Sequence, residues 1–110
     1  MTSEKTLREV CESFDVTRRA IQGYERAGLV KATGKNKYGY LLYDEETQKL
    51  IARIRFYQKM GFSIKEIKTL MAASREDVID MIKSQIDHLE KERNEIEIIR
   101  IQAKKLMEQL

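Results

Sequence analysis

Six basic residues, Arg18, Arg19, Arg26, Lys31, Lys35 and Lys37, fall between Val16 and Tyr43 with a single acid, Glu25, giving a local charge of +5 in a chain whose total is +3. On a helical wheel of about 100° per residue, Arg18, Arg19, Gln22, Glu25 and Arg26 share roughly one third of the circumference. Ala20, Ile21, Tyr24 and Ala27 lie opposite. One face therefore packs, and the other presents guanidinium groups and an amide, the groups that read base edges and grip phosphates in a major groove. Elsewhere the net charge is −2 over residues 1–15, +2 over 44–74 and −2 over 75–110. The basic surface is local, the footprint of a nucleic-acid-binding module on an ordinary body.

Other chemistries find little support. The lone Cys11 cannot form an internal disulfide, and with a single His88 far along the chain there is no metal-ligand spacing. Cys11 reads as a small core thiol and His88 as a solvated residue beside acids. No glycine run could cradle a phosphate, so neither an enzyme nor a cofactor is expected. At 42% hydrophobic and 35% charged residues, with no proline, the 110 residues read as helical and soluble. No apolar run approaches the length of a membrane span, and MTSEKTLREV carries no signal-peptide core, which places the chain in the cytoplasm.

The elements that must position the basic face follow from caps and periodicity. Thr6 and Glu9 form a capping box ahead of Leu7, Val10, Cys11 and Phe14, predicting a helix of about two turns with that stripe buried. Asp15 and Val16 turn the chain, and Thr17 caps a second helix from about Arg18 to Ala27, stopped by Gly28. Together these make a helix-turn-helix. In KATGKNKYGYLLY, Gly34 and Gly39 permit a reversal between short strands, predicting a wing with Lys35 and Lys37 near its tip.

Asp44 caps a third helix, about Glu45 to Met60, with Leu50, Ile51, Ile54 and Tyr57 on one side and Phe56 and Met60 widening it. After Gly61, a Ser63 and Glu66 capping box opens a fourth helix through Ile64, Ile67, Leu70 and Met71. From about Arg75 onward no residue breaks the helix. Ile82, Leu89, Ile96, Ala103 and Leu110 recur every seven residues, with Val78, Ile99 and Leu106 as companions and Gln85 and Glu92 interrupting the seam. Such a stripe needs a partner, and a second copy of the chain is the simplest one. The reading is mainly α, with a DNA-binding domain over 1–74 and a coiled-coil dimerisation helix over 75–110.

Several separated motifs, Ala20 to Glu25 with Arg26-Ala27-Gly28-Leu29-Val30, Gly39-Tyr40-Leu41-Leu42-Tyr43 with Asp44, and Leu50 to Gly61-Phe62-Ser63-Ile64-Lys65-Glu66-Ile67, resemble the MerR family of bacterial transcriptional regulators in order and spacing. The resemblance is close over residues 6 to 72 and architectural beyond. It implies a winged helix-turn-helix, a second helix pair and a long helix that pairs antiparallel with its mate. It also implies a homodimer on a two-fold symmetric operator in double-stranded promoter DNA, where distortion realigns the elements read by RNA polymerase. Thr17, Arg18 and Arg19 match the start of the recognition helix, Tyr24 the last tyrosine of the family's Arg-Tyr-Tyr-Glu signature, and Tyr40 and Tyr43 the wing. Gln22 and Gly23 stand where the pattern has Arg and Tyr, and Leu41 where it has the wing Arg, so Lys35 and Lys37 are expected to supply part of the lost grip.

The expected DNA-binding set is Thr17, Arg18, Arg19, Gln22, Tyr24, Arg26, Lys35, Lys37 and Tyr40. The expected dimer seam is Ile82, Leu89, Ile96, Ile99, Ala103, Leu106 and Leu110. Relatives of this kind carry an inducer domain or metal-binding cysteines after the dimer helix, and no effector domain is evident before Leu110. Two other functions fit the residues: a recombination directionality or architectural factor, and a protein-interaction adaptor whose basic patch meets an acidic partner.

Overall fold

A computed structural model describes residues 3–110. The chain divides between Met71 and Ala72 into two compact units.

The first unit opens on a two-residue strand, β1 (Lys5–Thr6), followed by α1 (Leu7–Phe14). Thr6 and Glu9 cap α1 reciprocally: the Thr6 Oγ1 accepts from the Glu9 N–H at 3.3 Å, and the Glu9 carboxylate accepts from the Thr6 N–H at 3.0 Å. Asp15 ends the helix in the left-handed region, at φ 50°. The Arg55 Nε holds that turn by donating to the Asp15 carbonyl at 3.1 Å. Thr17 then caps α2 (Arg18–Arg26), its hydroxyl accepting from the Ala20 N–H at 3.0 Å. Gly28, at φ 76°, turns the chain out of α2, a conformation in which glycine has no Cβ to clash.

The wing is β2 (Gly34–Lys35) and β3 (Leu41–Tyr43). Its sheet holds a third member: β3 lies between β1 and β2, antiparallel to both, with Lys5 opposite Tyr43 and Lys35 opposite Leu41. The N-terminal strand was not expected from the sequence. Nor was the tip chemistry: the Asn36 side-chain oxygen accepts from the Tyr38 and Tyr40 N–H groups at 2.9 and 3.0 Å, and Gly39 takes the positive φ of 83°. Gly34, expected to help the reversal, is an ordinary strand residue.

Asp44 caps α3 (Glu45–Lys59), and the Ser63 and Glu66 box opens α4 (Ile64–Ala72). The core gathers Val10, Ile21, Tyr24, Tyr43, Ile51, Ile54 and Ile67, all fully buried. Two expectations for this packing are corrected. Phe56 is 60% exposed, because it lies roughly 140° around the helix from Ile51, on the side away from the buried stripe. Met71 is exposed at the end of α4. In exchange Gln48 is buried, its amide donating to the Ser3 and Tyr43 carbonyls at 2.6 and 2.8 Å.

The second unit is a single helix, α5 (Arg75–Gln109), of 35 residues, capped by the Ser74 hydroxyl. None of its residues is buried. Ile96, Ile99 and Leu106 are each more than half exposed, and Leu110 is open to solvent. His88 pairs with Glu92 at 2.9 Å one turn on, and Arg100 with Glu97 at 2.6 Å. No described helix is long and apolar enough to cross a membrane.

Candidate nucleic-acid interface

The outer face of α2 is built by its inner one. Ile21 and Tyr24 are fully buried, and that anchorage turns Arg18, Arg19, Gln22 and Arg26 outward, where all four are exposed. Among the described residues none of these three arginines forms an ion pair, so their guanidinium groups remain available to a ligand. Gly23 lies on the same helix, where an added Cβ would meet the Arg26 side chain at 3.9 Å, an ordinary contact.

Two tyrosine hydroxyls fix the helix from behind. The Tyr24 hydroxyl donates to the Gln58 side-chain oxygen of α3 at 2.5 Å, and the Tyr43 hydroxyl of β3 donates to the Glu25 carboxylate at 2.6 Å. Burial, and next the Glu25 carboxylate, push the Tyr43 hydroxyl well above the ordinary phenol range. Burial likewise raises Tyr24. Both groups stay protonated donors. Tyr24 was expected among the DNA-binding residues. That expectation is corrected: the whole side chain is buried and its hydroxyl is used within the fold.

Thr17, Lys35, Lys37 and Tyr40 are exposed. The Thr17 hydroxyl is committed to its cap, leaving its other lone pair and its own proton free. The Lys37 ammonium sits 5.1 Å from the centre of the Tyr38 ring, a cation–π distance. Tyr38 is 71% exposed and Tyr40 63%, with their rings tilted against each other at 6.4 Å. Tyr38 was missed by the sequence reading, although two tyrosines bracketing a glycine at a basic tip were a usable signal. Between the wing and the first two helices lies a cleft of about 580 Å³ lined by Thr6, Leu7, Arg8, Arg18, Gly39, Tyr40 and Leu41. Cys11 is half-buried, and burial raises its thiol despite the opposing Arg18 charge. No group of described residues could hold a metal ion.

The chain matches the family model described as "MerR HTH family regulatory protein" over residues 5–74, and one described as "MerR, DNA binding" over residues 49–106. It is 30% identical over 82 residues to the nodulation protein NolA of Bradyrhizobium elkanii, a match covering 74% of this chain and 37% of that protein. The chain thus spans little more than a third of that relative's length. Among solved structures, a MerR family transcriptional regulator from Bacillus cereus superposes with a TM-score of 0.71 at 23% identity, covering 87% of this chain and 74% of that one. HiNmlR, a MerR family regulator lacking the sensor domain and bound to promoter DNA, gives 0.70 at 17% identity, covering 86% and 76%. At these identities the structural likeness speaks for the fold.

Proposed function

The chain belongs to the MerR family of regulatory proteins, and on that premise we propose that it is a homodimeric transcriptional regulator that sets two copies of α2 against a two-fold symmetric promoter operator and distorts the DNA between them. The family is one of regulators, not of enzymes. The observation that carries the reading is the α2 surface: Arg18, Arg19, Gln22 and Arg26 exposed on a helix that buries Ile21 and Tyr24 completely on its opposite face. A helix so held enters a major groove, with Gln22 and the arginines facing the groove and Thr17, Lys35, Lys37 and Tyr40 facing phosphates.

In this proposal α5 joins the two copies. Ile82, Leu89, Ile96, Ile99, Ala103, Leu106 and Leu110 form the antiparallel seam, each large apolar side chain contributing about 1.5–3 kcal/mol on full burial. A helix of this length reaches about 50 Å, enough to hold two basic faces apart at a fixed separation. Bending and untwisting an operator costs several kcal/mol, about 1–6 by elastic estimates, and the phosphate contacts of both copies offset it. At a promoter the deformation changes how the duplex meets RNA polymerase. That HiNmlR has been solved on promoter DNA supports the choice of ligand.

Selection of bound sequences from a pooled oligonucleotide library, followed by footprinting, tests the reading. Two inverted half-sites separated by whole helical turns of about 34–36 Å are expected. No enrichment, or single half-sites without a mate, would overturn it.

A further inference from the structure

Arg8 lies outside the basic stretch, in a segment of net charge −2, and nothing in its sequence context marks it as a ligand contact. The fold brings it to the cleft that Arg18, Gly39, Tyr40 and Leu41 also line. We propose that this cleft seats a phosphodiester of the bound duplex, with Arg8 of α1 and Arg18 of α2 as its two cations; the proposal rests on the DNA-binding reading above.

The lining carries two guanidinium groups from different helices and no carboxylate. Arg18 has no ion pair among the described residues, and Arg8 has one, from its Nε to Glu12 at 3.3 Å. Both partners of that pair are mostly exposed, at 84% and 68% of the side chain, so it is a weak competitor for the guanidinium. Its remaining nitrogens stay open for the planar, two-pronged contact that guanidinium makes with phosphate oxygens. Tyr40, 63% exposed at the cleft, adds a hydroxyl donor. Leu41 contributes an apolar wall and no charge. Neither Lys35 nor Lys37 lines the cleft, so its two cations come from α1 and α2.

The test is the salt dependence of binding, by fluorescence anisotropy, to a duplex recovered from the selection above and to a scrambled duplex. With two copies per complex, Arg8→Ala is expected to lower the slope of log affinity on log salt by about 1.8. It is also expected to weaken both duplexes alike, on the order of tenfold, because a phosphate contact carries no sequence information. Glu12→Gln is expected to leave or strengthen binding, and circular dichroism of each variant shows whether α1 stays folded. Wild-type binding with an unchanged Arg8→Ala slope would overturn the phosphate seat and leave the regulator reading intact. Loss on the selected duplex alone would also overturn it, since Arg8 would then read bases. A wild-type protein that binds no duplex would remove the underlying function as well.

Discussion

The Tyr43 hydroxyl donates to the Glu25 carboxylate at 2.6 Å, tying the inner strand of the wing to the helix that carries the arginines across 18 residues of sequence. Tyr43 is fully buried and Glu25 half-buried, so this bond is largely withdrawn from solvent. Tyr43→Phe would leave the carboxylate without its donor. A loss of about 1.5 kcal/mol is expected, seen as a drop of several degrees in Tm. The phenol also gives a pH signature. Its folded pKa lies above the unfolded value of 10, so the stabilisation is complete below pH 10 and lost as pH rises beyond it. Thermal melts from pH 8 to 11 should therefore fall more steeply for the wild type than for Tyr43→Phe; parallel curves would contradict the assignment.

Gln48 performs a similar service at the other edge of the sheet. Its amide bonds to the Ser3 and Tyr43 carbonyls and holds the N-terminal segment beside β3. Gln48→Leu removes both bonds and is expected to cost about 2 kcal/mol. Amide hydrogen exchange at Lys5 and Thr6 should quicken more than at Ile51, and uniform quickening would mean that the amide does not act locally.

Carboxylates at the helix starts give an acid limit. Bonds from backbone N–H groups hold Glu9, Asp44 and Glu66 below their ordinary carboxylate values, with the Thr6, Thr47 and Ser63 N–H groups the largest cause in turn. A folded acid stronger than its unfolded form stabilises above the unfolded pKa and loses that contribution as pH falls through the folded one. Stability should thus decline as pH drops below about 4. Asp44→Asn keeps the cap and removes the titration, so its acid limb should be shallower in melts between pH 2 and 5.

These caps were also the most legible part of the sequence, because a hydroxyl followed three residues later by Glu, as Thr6 by Glu9 and Ser63 by Glu66, has one local meaning at a helix start. The outward arginines of α2 were legible for a related reason, since the 3.6-residue period separates them from Ile21 and Tyr24. What escaped depended on distant partners. Two residues, Lys5 and Thr6, show no period that could announce a strand, and they pair because β3 presents an edge. Phe56 looked apolar enough to pack, yet Gln48, Ile51 and Ile54 set the buried side of α3. Tyr24 was placed on the correct face, but only the fold brings Gln58 within reach of its hydroxyl. Arg8 joined the interface through the cleft alone.

The α5 stripe makes its own prediction. Replacing Ile96 and Leu106, each more than half exposed, by Arg would place charge in the proposed seam. Sedimentation velocity at micromolar concentration should change from pairs to lone chains while circular dichroism of the first unit persists. Unchanged association would move the dimer contact elsewhere.

Most direct of all is the composition of the complex on its DNA. Native mass spectrometry of the full chain with a selected symmetric duplex should record two chains per duplex, with Arg18→Ala and Arg19→Ala together abolishing that species at moderate salt. One chain per duplex, or a two-chain complex indifferent to loss of both arginines, would contradict the pairing of two arginine-bearing helices on one stretch of DNA.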